Sequence, residues 1–167
     1  KTVILVTAED ELEGIIAVAD EARSSAKEMI EKLNSKGIRT VMLTGDNKIT
    51  AEAIANQIGI TEYYAELLPE NKVSILKQLS RKYGSVARGG DGINDAPALA
   101  AADVGIAMGV GGADTALETA DVALMADDLS KLPYLYELAH DANGVIRQNI
   151  WASLGIKALL AIGVPFG

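Results

Sequence analysis

Apolar positions open the chain as short β-branched runs and then recur at alternating strand and helix spacings. Residues 2–7 (TVILVT) and 12–18 (LEGIIAV) are strand-like, with Ala8–Glu11 between them, and predict a β-hairpin. After Asp20 the period lengthens. Ala22, Ala26, Met29, Ile30 and Leu33 fall on one helical face, and Gly37 stops that helix. Arg39–Leu43 reads as a short strand, followed by a helix with Ala51, Ile54 and Ile58 inward and Gly59 as its end. A strand near Tyr63–Ala65 leads into a helix opened by Pro69 and striped by Val73, Leu76 and Leu79. Further strands are expected at Ser85–Ala87, Val104–Ala107 and Val122–Met125, with helices beginning near Asn94 and running near Asp114–Thr119. The last helix starts about Ser130 and is expected to run unbroken into an apolar tail.

Short buried strands alternating with helices predict an α/β fold with a doubly wound parallel sheet covered on both faces. In such folds a ligand sits at the carboxyl ends of the strands. The 167 residues amount to one domain with appended pieces, and no internal repeat is visible.

Composition narrows the function. The net charge of −8 leaves no basic stretch for a nucleic-acid partner. The absence of Cys excludes a disulfide framework, a thiolate metal site and a Cys nucleophile, and His140 is the only histidine. Mean hydropathy is +0.19, raised by residues 150–167 (IWASLGIKALLAIGVPFG), where Lys157 is the sole charge. That tail reads as the start of a transmembrane helix cut short. With no initiator Met and no signal peptide, the chain is expected to be a piece of a longer membrane-bound protein.

Two acidic loops fall at expected strand ends. Thr44-Gly45-Asp46-Asn47 offers a hydroxyl, a backbone that an anion can approach and the positive end of the next helix. An ordinary N-cap accounts for the same residues. Gly90-Asp91-Gly92-Ile93-Asn94-Asp95-Ala96-Pro97 holds two carboxylates and an amide between glycines, a set suited to Mg²⁺. A capped turn explains Asn94 and Pro97 but neither the second acid nor the glycines around Asp91. Lys72 opens the helix that begins at Pro69, where an ammonium opposes the helix dipole but can hold a phosphoryl oxygen. Together these residues describe phosphoryl transfer that lacks only its nucleophile.

TGDN at 44–47, the segment Pro69–Lys72 and GDGINDAPAL at 90–99 resemble the phosphorylation domain of P-type ATPases, a branch of the haloacid dehalogenase superfamily. The resemblance implies that residues 1–19 end a nucleotide-binding domain and hinge. It implies that 20–149 form the phosphorylation domain without its first strand, and that 150–167 start a membrane span. Thr44, Gly45 and Asp46 would then contact the phosphoryl group and the attacking water, and Lys72 would neutralise the phosphate. Gly90, Asp91 and Gly92 would line the cofactor site, with Asp91 and Asp95 toward Mg²⁺ and Asn94 in support. The phosphorylated aspartate of the DKTGT motif and most of the ATP pocket would precede residue 1, so the piece alone would be inactive.

RQNI at 147–150, Lys157 as a transport-site charge, and ETADVALMADDL at 118–129 resemble the zinc/cadmium/lead-exporting branch. The implied partners are the upstream nucleotide-binding, actuator and transmembrane parts, a divalent heavy-metal ion and the cell membrane, with 1–149 cytoplasmic. A copper transporter, a soluble phosphatase of the superfamily and an inert interaction domain of the same fold are the alternatives. Arg88 and Gly89 stand where the family has apolar residues, and Glu21 where its hinge has proline. Gly109–Gly112, His140 and Asp127-Asp128 are read as ordinary turn or surface residues, and Tyr134, Tyr136 and Trp151 suit either the membrane–water boundary or ordinary packing.

Overall fold

The computed structural model describes residues 2–8, 11–18, 22–90, 96–108, 118–124 and 128–163. They fall into two compact units, Lys1–Leu129 and Ser130–Gly167.

The first unit opens with the expected hairpin. β1 (Thr2–Ala8) and β2 (Glu11–Val18) pair antiparallel from Thr2↔Val18 to Ala8↔Glu11, with a register shift between Val6 and Thr7. α1 (Ser24–Ser35) buries Ala26, Met29 and Ile30 at helical spacing. It ends through Gly37 at φ +77°, whose amide bonds the Asn34 carbonyl at 3.0 Å.

β3 (Val41–Leu43) and β4 (Glu62–Tyr64) are parallel and joined through α2 (Lys48–Ile58). The α2 stripe differs by one residue from expectation. Ala51, Ala55 and Ile58 are buried, whereas Ile54 is half-buried. A small residue at 55 lets the helix lie close, and the larger Ile54 sits at the margin of the contact. α3 (Pro69–Tyr83) buries Leu76 and Leu79, with Pro69 in its first turn where the missing N–H has no partner to lose.

β5 (Ala87–Gly90), β6 (Val104–Met108) and β7 (Val122–Leu124) form a second parallel sheet in the order β5-β6-β7. β5 begins two residues later than its composition predicts. The Asp103 carboxylate accepts the Val86 N–H at 2.8 Å, and the Val86 carbonyl accepts the Asp103 and Val104 amides. Val86 is thereby held in a loop tie, and the ladder runs from Ala87↔Val104 to Gly90↔Ala107. Pairing with β6 overrides the poor strand propensity of Gly89 and Gly90. α4 (Ala96–Ala100) packs on α3 and β6 and carries the fully buried Leu99, while the start expected near Asn94 lies outside the described residues. The helix expected near Asp114–Thr119 lies mostly outside the described residues.

The parallel α/β order is therefore as expected, but its ladders form two sheets. Among the described residues β3 pairs only with β4, and β5 only with β6.

The second unit is α5 (Lys131–Gly163), one helix that continues without a break past Ile150. Its side chains beyond Val145 are exposed, including Trp151, Leu154 and Leu159. Among the described residues no helix is long and apolar enough to cross a membrane. Within the described residues the apolar part of α5 runs from Ile150 to Gly163, about 20 Å against the ~30 Å of a hydrocarbon core.

Candidate functional site

The Thr44–Asp46 loop leaves the carboxyl end of β3. The Thr44 amide donates to the Tyr64 carbonyl at 3.0 Å, which carries the β3–β4 pairing one step past the strand. Side chains then close the loop on itself. The Thr44 hydroxyl donates to Asp46 Oδ2 at 2.7 Å and accepts the Asp46 N–H at 3.1 Å. Asn47 caps α2, its Oδ1 accepting the Thr50 amide at 2.9 Å. The cap and the acidic loop are thus adjacent but distinct features, and Asn47 alone serves the cap.

A second loop is tied to the first. The Glu66 N–H donates to the Asp46 carbonyl at 2.8 Å, and the Leu67 N–H donates to the Thr44 carbonyl at 3.1 Å. A Cβ on Gly45 would lie 3.4 Å from the Leu67 carbonyl oxygen, at the limit of contact. Leu68 and Pro69 follow and open α3, whose first turn carries the half-buried Lys72. The structure therefore brings Thr44, Gly45 and Asp46 to the same carboxyl edge as the start of the Lys72 helix.

Gly90 is buried at the carboxyl end of β5. Asp91, Gly92, Asn94 and Asp95 lie outside the described residues. Lys157 is an exposed residue of α5 in the other unit. Arg88 sits inside β5, two residues before Gly90, with its Nε buried.

The donors at this edge are a hydroxyl, a carboxylate and backbone groups, all oxygen or amide, which fits an oxygen-preferring cation such as Mg²⁺. Among the described residues no group of three or more His, Asp or Glu could hold a metal. The carboxylates expected to hold it, Asp91 and Asp95, lie outside the described residues.

At the opposite end of β3 and β4 is a feature with no local sequence signal. The Tyr83 hydroxyl accepts from Arg39 Nη1 at 2.6 Å and donates to Glu62 Oε2 at 2.8 Å, while Lys82 Nζ and the Tyr64 hydroxyl donate to Glu62 Oε1 at 3.3 and 3.2 Å. The Arg39 guanidinium and the Lys82 ammonium also lie 4.7 and 4.6 Å from the Tyr83 ring centre. The Tyr83 hydrogen bond, helped by Lys82 and Tyr64, holds the Glu62 carboxyl below its ordinary range against the opposing effect of burial. Beside this network is a cavity of about 300 Å³ lined by Asn34, Arg39, Thr40 and Thr61. It lies at the amino end of β3, away from the edge where ligands of parallel α/β folds bind.

Residues 1–103 match the family described as hydrolase: haloacid dehalogenase-like hydrolase. The chain belongs to that family. Within it, the chain is 54% identical over 165 residues to a probable cadmium-transporting ATPase of Alkalihalophilus pseudofirmus, covering 97% of this chain and 23% of that protein. It is 50% identical to a zinc-transporting ATPase of Bacillus subtilis, covering 99% of this chain and 27% of the relative. A crystal structure of a zinc-transporting PIB-type ATPase in the E2.Pi state superposes with a TM-score of 0.87 at 46% identity, over 99% of this chain and 27% of the other. The haloacid dehalogenase-like chain thus spans about a quarter of the length of these metal-transporting ATPases.

Proposed function

We propose that the chain is the phosphorylation-domain portion of an ATP-driven exporter of Zn²⁺, Cd²⁺ or Pb²⁺ that works through an aspartyl-phosphate intermediate. The observation that carries the proposal is the double backbone tie between the Thr44–Asp46 loop and the loop that opens α3. It supports a single small-anion site at the carboxyl edge, in a haloacid dehalogenase-like chain about half identical to cadmium- and zinc-transporting ATPases.

In this reading the γ-phosphoryl of ATP passes to the carboxylate of an aspartate that precedes residue 1, releasing ADP. Water then attacks the phosphorus, releasing inorganic phosphate and restoring the carboxylate. Residues 1–19 end the nucleotide-binding domain and hinge, residues 20–149 are the phosphorylation domain without its first strand, and that strand would lie between β3 and β5. The unpaired sides of those two strands among the described residues support that placement.

The chain's own residues have separate tasks. The Thr44 hydroxyl has one proton to donate, and it is now given to Asp46. Turned to a phosphoryl oxygen, it leaves the Asp46 carboxylate free to accept from the attacking water. Gly45 keeps the loop backbone open to the anion, and Lys72 balances the charge of the phosphoryl oxygens. Gly90 and Gly92 flank Asp91, which with Asp95 would hold Mg²⁺, and Asn94 supports that loop. When bound, the cation supplies charge neutralisation at the phosphoryl oxygens.

Residues 150–167 begin a transmembrane helix of the cell membrane, with Lys157 as a charge at the transport pathway and 1–149 on the cytoplasmic side. The nucleotide-binding, actuator and transmembrane parts of the same protein are its partners. The test is metal-stimulated ATP hydrolysis by the full-length protein. Zn²⁺, Cd²⁺ or Pb²⁺ is expected to raise turnover several-fold, and stimulation by Cu⁺ alone would overturn the assignment.

A further inference from the structure

Among the described residues Glu66 is the one residue other than glycine in the left-handed backbone region, at φ +57°. Glutamate has neither the missing Cβ of glycine nor the short side chain of asparagine that makes this region accessible. Such a conformation persists where the surroundings over-determine it. The Glu66 side chain is exposed, so its burial is not what holds the backbone there. The backbone is held by two successive amides, Glu66 N–H on the Asp46 carbonyl at 2.8 Å and Leu67 N–H on the Thr44 carbonyl at 3.1 Å. The residues that receive these bonds are the two whose side chains bond each other across the acidic loop. The strained joint is also where the chain turns from β4 into Leu68 and the helix that carries Lys72.

We propose that Glu66 is a positioning residue for phosphoryl transfer. Its left-handed backbone aims the amides of residues 66 and 67 at the carbonyls of Asp46 and Thr44, and so fixes the acidic loop against the start of α3. The inference rests on the phosphoryl-transfer reading of this edge and adds a backbone element to it. The side chain itself is dispensable in this account. A relaxed, extended residue 66 would re-aim both amides and let Asp46 drift relative to Lys72. An ångström of drift between groups that act on one reacting centre costs as much as ~100-fold in rate.

The test uses the full-length protein with E66N, which tolerates the left-handed region, E66Q, which removes only the charge, and E66V, whose branched Cβ disfavours that region. Metal-stimulated turnover and the KM for ATP are measured for each, with amide hydrogen exchange at residues 66 and 67. E66N and E66Q are expected to match the wild type. E66V is expected to lose at least about tenfold in kcat with KM within twofold, and to exchange amides 66 and 67 faster. Should E66V fail to accumulate, E66T is read instead, whose branched Cβ disfavours the same region, with a loss in the same direction. Wild-type kcat in E66V, or in E66T where E66V does not accumulate, would overturn the inference, as would an E66Q defect equal to that of E66V, which would assign the effect to the carboxylate. A wild type with no metal-stimulated turnover would instead overturn the functional reading, and the exchange rates would still decide whether Glu66 holds the two loops together.

Discussion

Thr44 spends its hydroxyl twice, as donor to the Asp46 carboxylate and as acceptor from the Asp46 amide. Valine has nearly the same shape and can do neither. Thr44→Val is expected to cost about 1 kcal/mol of stability, the usual net worth of such a bond at an exposed site. In the proposed phosphoryl-transfer role it is also expected to slow phosphoenzyme hydrolysis about 100-fold, because an oriented donor to developing charge would be lost. The decay of labelled phosphoenzyme in the full-length protein measures the second effect separately from the first. Glu62 makes a different prediction. Its carboxyl is held below the ordinary value of 4.5 by the Tyr83 hydrogen bond, so the stability it contributes is present above pH 4.5 and is lost as pH falls through the lowered value. Glu62→Gln is therefore expected to be less stable at pH 7, by about 1 kcal/mol for a partly exposed charged acceptor, with the deficit shrinking under acid. Urea midpoints at pH 7 and pH 3 report it. At this scale legibility divides by range. Thr44, Asp46 and Asn47 stand out in sequence because turn and cap chemistry is local. Nothing in Ala65-Glu66-Leu67 announces a left-handed glutamate, and Glu62 meets Tyr83, 21 positions further on, only once the chain folds back.

Elements were read more securely than their edges. The hairpin, the helix opened by Pro69 and the unbroken last helix follow from period and breakers, and each forms as expected. The bounds of β5 did not follow, because its residues Ala87–Gly90 have little strand propensity and are recruited by the β6 ladder and the Asp103 tie to Val86. A tertiary partner decided that boundary, and no window of sequence contains it. The packing of α4 on β6 gives an element-scale prediction. A Cβ on Gly105 would stand 2.9 Å from the Leu99 carbonyl oxygen, on backbone that cannot swing aside as a side chain tip would. Gly105→Ala is expected to push α4 off β6 and destabilise the first unit by about 1–3 kcal/mol, the range for overpacked cores. Since α4 follows directly on the Asp91–Asp95 segment proposed to hold Mg²⁺, the same variant is expected to raise the Mg²⁺ concentration needed for half-maximal turnover. An unchanged unfolding midpoint would mean the backbone relaxes without cost.

For the molecule as a whole, the parallel order of strands and the acidic loop after β3 were legible, and the match over residues 1–103 places this chain among haloacid dehalogenase-like hydrolases. What reading residue by residue could not supply is how the loops are held, since two amide-to-carbonyl bonds between residues 44–46 and 66–67 leave no trace in composition. Those bonds make a quantitative claim about function. If the Asp46 loop and the Lys72 helix serve one phosphoryl group, their side chains cannot act independently. The measurement is a double-mutant cycle on phosphoenzyme hydrolysis in the full-length protein, using Asp46→Asn, Lys72→Ala and both together. The account predicts that the double variant is hardly slower than the worse single one. Rate losses that multiply, as they would for two groups working at separate places, would contradict it.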